Sequence, residues 1–405
     1  MNKQNFFLRD FIQAKNTKIK LKKNFSKKFN KIFNEIKHDV KNSNKTLNVL
    51  DKNFKFSFKI EDLKKFKKFK KVAIIGMGGS ILGAEAIHNF FQHKIKKKFY
   101  FFNNLDEEKI SKFKKVENLS KILFLVISKS GNTIETLSNT FSLNIIKKNS
   151  KNILLISEKK NNLLFSLSKR FNLSYIEHKS YIGGRYSVLS EVGLIPAFLM
   201  GINIIKLRSK TLNWLNDKNK MLLKKSSINL ANFMRSKRNN SLIFLNYSSE
   251  FENFLFWCQQ LIAESLGKRN IGFLPVVSNA PKDHHSLLQL YLDGPKDKLF
   301  NIFSFKKKSK EKINISKSTK IISFLNKKKI SSVKDAQKKA LIQTFVKKNI
   351  PFREFCIKKI NEETLGELFS FFIIETIIVG RLLDINPYNQ PAVEQVKVNT
   401  KKLLN

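Results

Sequence analysis

Three short apolar runs, each followed by a helix-like stretch, limit what this chain can fold into. VAIIGMG (72–78) runs into glycines and then SILGAEAIHNFF; KILFLVIS (121–128) precedes a helical pattern from about Asn132; NILLIS (152–157) is a third such run. Runs of Val, Ile and Leu without polar alternation mark strands covered on both faces. Alternated with helices, they specify a parallel α/β sheet.

The pattern then restarts. A helix-like stretch at 217–236 precedes SLIFLNYS (241–248), a helical EFENFLFWCQQLIAESLGK (250–268), and the extended GFLPVVS (272–278) and KLFNIFSF (298–305). The Lys/Ser-rich 306–334 reads as surface helix and loop, followed by a helix at 335–348, a strand at 351–359, a long apolar helix at about 362–383 and an amphipathic end from Pro391 to Leu404. No short tandem repeat is present. The expected organisation is a helical arm at 1–45 capping the first domain, α/β domains at 46–216 and 217–383, and a C-terminal helical segment at 384–405.

Charge raises the question of nucleic acid, since Lys+Arg 78 against Asp+Glu 31 gives +47 at pH 7. Lysines neutralise phosphates. Yet only nine of these residues are Arg, and Asn, Ile and Phe (38 of them) are abundant too, all residues of AT-rich codons. The lysines are spread along the chain, without an RNA-recognition signature or zinc-finger spacing, so no specific nucleic-acid partner is expected. No apolar run reaches the roughly 18 residues of a membrane span, and the N-terminus lacks a signal-peptide pattern. Two cysteines exclude a disulfide framework or a four-cysteine zinc site, and the six histidines show no metal spacing. A cytoplasmic protein without metal or cofactor is expected.

With only 14 glycines, their placement carries information. Four lie in GMGGSILG (76–83), which is not a dinucleotide fingerprint, because Ile81 stands where the third glycine would be. SKSGNTIET (128–136) places Ser128, Lys129, Ser130, Gly131 and Thr133 at a helix start. Such a start either caps itself, here through Asn132 and Glu135, or cradles a phosphate. Arg185 follows Gly183 and Gly184, leaving its approach to a ligand open; it either stabilises developing negative charge or binds carbonyls. Gln260 and Glu264 share a helix face in an apolar stretch, so the carboxylate there is paired or functional. His285, in DHHSLLQL, and Lys397, three residues after Glu394, read by themselves more readily as surface groups than as site groups.

GMGGSILG, SKSGNTIET, GGRYS, QQLIAESLGK, HHSLLQL and NPYNQPAVEQVK occur together and in this order. The set resembles the glucose-6-phosphate isomerase (phosphoglucose isomerase) family in a compact bacterial-type form, from about residue 71 to 400. The resemblance implies two sugar-isomerase domains, flavodoxin-like with parallel-sheet three-layer αβα architecture, plus a C-terminal helix that completes the active site. It implies reversible aldose–ketose isomerisation of glucose 6-phosphate and fructose 6-phosphate without a cofactor, in a homodimer whose sites lie at the subunit interface. By position it assigns Glu264 as the base, Arg185 beside the enediolate, and His285 with Lys397 to ring opening. Ser128, Lys129, Ser130 and Thr133 would hold the phosphate, with Gly79, Ser80, Glu135, Gln260 and Gln390 around the sugar. Against the family pattern, His284 replaces a glutamine, Ala392 a glycine, and Ser130-Gly131-Asn132 a threonine-rich loop. A dual phosphoglucose/phosphomannose isomerase and a non-catalytic sugar-phosphate sensor are the alternatives.

Overall fold

A computed structural model describes residues 6–12, 24–236, 240–305, 311–315 and 320–404. Parts of the expected arm (1–5, 13–23), of the Lys/Ser-rich stretch (306–310, 316–319) and Asn405 lie outside the described residues.

Among the described residues, ten strands form two five-stranded sheets. The first contains β2 (Lys71–Ile75), β3 (Lys98–Phe102), β4 (Ile122–Ile127), β5 (Ile153–Ser157) and β6 (Ser174–Glu177), all parallel, in the order β3-β2-β4-β5-β6. This is the doubly wound order, in which the chain reverses direction across the sheet between β2 and β4. The second contains β1 (Phe6–Asp10), β7 (Ser241–Asn246), β8 (Leu274–Asn279), β9 (Lys298–Phe305) and β10 (Phe352–Ile357), ordered β1-β10-β9-β7-β8. From β7 to β10 it repeats the order of the first sheet.

Strand alternation gives each sheet two buried faces. In the first, Val72, Ile74, Leu123, Leu125 and Ile127 enter a core shared by both sheets, while Ala73, Ile75, Phe124 and Val126 pack under outer helices. In the second, Leu242, Phe244, Phe303 and Phe355 face the shared core, and Ile243, Leu245, Phe300 and Ile302 face outward.

Seven helices matter most for the site and its surroundings: α1 (Phe25–Lys41), α2 (Leu82–Phe90), α3 (Ile134–Ser142), α4 (Asp217–Arg235), α5 (Glu252–Leu266), α6 (Glu362–Leu382) and α7 (Glu394–Leu403). Apolar on nearly every side, α6 is buried from Thr364 to Gly380, as a core helix must be. Both carboxylates inside that span are paired. Glu367 accepts from Asn213 Nδ2 at 2.7 Å, and Glu375 meets the Arg353 guanidinium at 2.7 Å and the Ser226 hydroxyl at 2.6 Å. The buried ion pair fixes the helix against β10 more than it stabilises it, because desolvation offsets most of the attraction. α2 packs on α5, joining the two halves.

The N-terminal expectation needs correction. Residues 6–10 form a strand, antiparallel to β10 with Phe6 opposite Ile357 and Asp10 opposite Arg353. Phe6 and Leu8 are buried and Phe7 is exposed, an alternation of period two rather than a helical stripe. The α1 helix follows and packs on α6 and α4 through Phe25, Phe29, Ile32, Phe33 and Ile36. Residues 6–10 therefore edge the second sheet, while 25–41 have the expected helical form. Strands β3 and β6 complete the first sheet and have no counterpart in the sequence reading. β3 is an edge strand set among lysines, where only Phe102 is buried.

Candidate active site

The glycine loop after β2 meets two distant parts of the chain. Gly78 has φ +51°, and a Cβ there would lie 2.6 Å from the Gln260 Nε2 on α5. A Cβ on Gly79 would lie 2.2 Å from the Gly184 carbonyl carbon and 2.6 Å from the Arg185 nitrogen. A side chain at Gly79 would run into backbone, and at Gly78 the positive φ disfavours one, so these glycines allow a tight turn and close approach between chain segments. They bring the 183–185 turn and the exposed edge of α5 to the C-terminal end of the first sheet. Ser80 closes this turn.

Arg185 is the hub. It is buried at 3% exposure, and each of its N–H groups is used. Nε donates to Ser265 Oγ at 2.8 Å, and one terminal nitrogen reaches Glu264 Oε2 at 3.2 Å and Gln390 Oε1 at 2.8 Å. The other donates to the Pro387 carbonyl at 2.5 Å and the Asn389 carbonyl at 3.2 Å. Tyr186 adds a bond from its hydroxyl to Pro387 O at 2.8 Å. The 387–390 segment is thereby folded over the arginine. Lys268 donates to Asn386 O at 2.6 Å, just before that segment; burial, then the neighbouring Arg185 charge, lowers its pKa to about 8.

Glu264 is one-third exposed, with Gln260 Nε2 donating to its second oxygen at 2.9 Å. The sequence alternatives merge here, since the carboxylate is paired and also open to the cleft. Gln260 Oε1 is buried without a partner among the described residues, an acceptor free for a ligand hydroxyl. The cleft has a volume of about 510 Å3 and is lined by Leu82, Glu85, Asn103, Phe256, Gln260 and Glu264 among others. That volume suits a small metabolite. A larger cavity of about 890 Å3, lined by Lys37, Lys41, Lys52, Lys55 and Lys179, lies away from this chemistry and holds neither glycine loop nor carboxylate pair.

At the end of β4, the Ser128 and Thr133 hydroxyls meet at 2.8 Å, and the Asn132 N–H donates to Ser130 Oγ at 3.3 Å. Thr133 precedes α3 and makes no side-chain cap, while Asn132 accepts from the Leu163 N–H at 2.9 Å. The self-capping alternative of Asn132 with Glu135 is thus not realised, and Glu135 is exposed. Lys129 leans on Glu158 at 3.5 Å; burial lowers its pKa and Glu158 opposes that shift. This hydroxyl-rich loop and the glycine loop are the two ends that flank the direction reversal of the sheet, where doubly wound folds bind ligands.

His285 and Lys397 are not gathered in. His285 is exposed, and Lys397 pairs with Glu394 at 2.7 Å. Among the described residues neither bonds to Arg185, Glu264, Gln260 or Gln390. No described residue of α7 is buried, and Val396, Val398 and Leu403 are exposed there, flanked by exposed Val393 and Leu404. Of the expected C-terminal contribution, only the segment through Gln390 reaches the centre.

Sequence reasoning missed Ser265, Lys268, Glu85 and Asn103. Glu85 is 8% exposed and accepts from Asn103 Nδ2 at 2.6 Å; burial lifts its carboxyl to about 7. The signal was a carboxylate in the first turn of a helix whose other residues up to Ile87 are apolar or glycine.

Fold and site together define a two-sheet, doubly wound α/β protein with an arginine–carboxylate centre at the glycine loop of one sheet. A solved structure of a hypothetical protein from Thermus thermophilus has this fold, with TM-score 0.78 at 22% identity over 98% of this chain and 99% of its own. So does a glucose-6-phosphate isomerase from Chlamydia trachomatis, with TM-score 0.71 at 19% identity over 85% of this chain and 71% of its own. In sequence, the glucose-6-phosphate isomerase of Methanocaldococcus jannaschii is 32% identical over 83% of this chain and 86% of its own. The phosphoglucose isomerase family pattern matches residues 28–273. The chain belongs to the phosphoglucose isomerase family.

Proposed function

We propose that this chain interconverts glucose 6-phosphate and fructose 6-phosphate through a cis-enediolate. The observation that carries the reading is Glu264, open to the cleft and held by Gln260 and Arg185 beside the glycine loop. Glu264 takes the proton from C2 and returns it to C1, one carboxylate acting as base and then acid. Arg185, with its N–H groups already engaged, stabilises the enediolate chiefly through its fixed charge in a site of low dielectric. Ser128, Lys129, Ser130 and Thr133 hold the phosphate, with Glu135 at the rim. Gly79 and Ser80 border the sugar, and Gln260 and Gln390 bind its hydroxyls.

His285 and Lys397 open the ring from a second copy of the chain. Helix geometry supports this. The turn carrying His285 is tied through Asn279 to Glu252 at the start of α5. Glu264 lies twelve residues further along, about 18 Å at 1.5 Å per residue. The exposed apolar residues of α7 supply a surface for the partner. The working unit is thus a homodimer in the cytoplasm, each subunit built of sugar-isomerase domains at 46–216 and 217–383. No helix among the described residues is long and apolar enough to cross a membrane.

The test is a coupled assay from fructose 6-phosphate, with mannose 6-phosphate and Glu264→Gln in parallel. Turnover abolished by the substitution, with mannose 6-phosphate inert, is expected. Turnover of both sugars would favour the dual enzyme, and sugar-phosphate binding without turnover would favour a sensor.

A further inference from the structure

We propose that Tyr247 is a positioning residue for His285, acting through His284. The inference rests on the reading of His285 as the ring-opening group. Tyr247 directly follows β7, is 2% exposed, and sets its hydroxyl 2.8 Å from His284 Nε2. The two rings meet edge-on, with centroids 5.7 Å apart. A buried tyrosine hydroxyl needs a polar partner, and here that partner is the residue immediately before His285. Packing alone would be met as well by phenylalanine.

The same turn is clamped on its other side. Asp283 Oδ2 accepts from the Asn279 N–H at 2.7 Å and the Ser278 hydroxyl at 3.0 Å. Asn279 also donates to Glu252 Oε1 at 2.7 Å and accepts from Asn246 Nδ2 at 3.0 Å. Backbone bonds from His284 N to Pro281 O and from His285 N to Lys282 O close the turn. Two consecutive side chains are thus fixed by packed partners while the third, His285, stays exposed. A group that must meet a substrate held by another subunit needs this combination, a free imidazole on a backbone that does not move.

Four variants test this: Tyr247→Phe, His284→Leu, His284→Gln and His285→Ala. Each is assayed for kcat and KM, for thermal melting, and for affinity for an open-chain aldonate phosphate, which needs no ring opening. Loosening a catalytic group by a fraction of an ångström to 1 Å costs about ten- to a hundredfold. Tyr247→Phe and His284→Leu are therefore expected to lower kcat by about tenfold, with KM and aldonate affinity within about twofold. His284→Gln keeps a hydrogen-bonding side chain opposite Tyr247 and restores most of the rate. Native kcat in Tyr247→Phe, with His285→Ala crippled, overturns the inference alone. Native turnover in His285→Ala overturns the reading beneath it. Equal losses of kcat and aldonate affinity assign Tyr247 to general stability and also overturn it.

Discussion

Arg185 and His285 occupy opposite situations in one molecule. Arg185 is buried, and its donors are met by Ser265, Glu264, Gln390 and two backbone carbonyls. His285 is exposed on a clamped turn, and Lys397 stands on a helix with no buried residue among those described. The first centre is complete within one chain. The second is open: His285 is exposed on a turn held by its neighbours, and Lys397 stands on a helix that buries none of its described residues. Preorganisation is thus supplied in full by the fold around Arg185, whereas in the proposed dimer it is deferred to association around His285.

Removing the hub does the most damage. Arg185→Met leaves Gln390, Ser265 and the Pro387 and Asn389 carbonyls without their donor. Each buried acceptor left unsatisfied costs about 1–3 kcal/mol of stability. Activity is expected to fall by at least about a thousandfold, as for loss of a charge-stabilising group. Arg185→Lys should recover charge but little rate, because one ammonium cannot serve five acceptors in a planar fork. Full recovery by lysine would show that the fork is irrelevant.

Subunit mixing probes the division between the two centres. In the proposed dimer with shared sites, Glu264→Gln and Lys397→Ala subunits are each expected to be inactive alone. After subunit exchange, half of the dimers pair one of each kind, with one intact site of two, so about a quarter of native activity should return. No recovery despite proven exchange would place Lys397 and Glu264 in the same subunit's site.

The close contact at Gly79 is a smaller lever. Gly79→Ala drives a methyl into the Gly184 backbone, which must shift. A loss of about 1–3 kcal/mol in chemical denaturation is expected from overpacking. Gly184→Ala has open space around the added methyl and should cost less. Equal costs would mean that the 79–184 approach is not tight.

How far these features were legible in the sequence depends on what encodes them. β2, β4 and β5 announce themselves, because strands buried on both faces need unbroken apolar runs. The edge strands β3 and β1 do not: β3 is half-exposed between lysines, and β1 holds five residues in a lysine-rich flank. Of the site, Arg185, Gln260, Glu264 and Gln390 were readable from motif order, since each uses a distinctive side chain. The acceptors at Pro387 and Asn389 are backbone carbonyls, which leave no mark on residue type. Ser265 lay beside Glu264 unremarked, because a serine within a helix seldom signals a partner eighty residues away. The separation of His285 and Lys397 from the centre is a property of tertiary placement, which no motif order specifies.

The two carboxylates of the cleft differ in the same way, on a finer scale. Glu264 is matched to a guanidinium, whereas Glu85 meets the neutral amide of Asn103. Burial therefore lifts Glu85 to about 7 from its ordinary 4.5. An acid whose pKa is raised on folding holds its proton more tightly in the native state. Between these two values the native chain binds more protons than the unfolded one, so stability falls as pH rises through that window. The full cost above it is about 3 kcal/mol at 1.36 kcal/mol per unit. Glu85→Gln removes the titration while keeping an acceptor for Asn103. Its melting temperature should exceed that of the native protein at pH 8, and the gap should close toward pH 4.5. A gap that does not change with pH would mean that Glu85 is solvated and that its carboxyl is not lifted by burial.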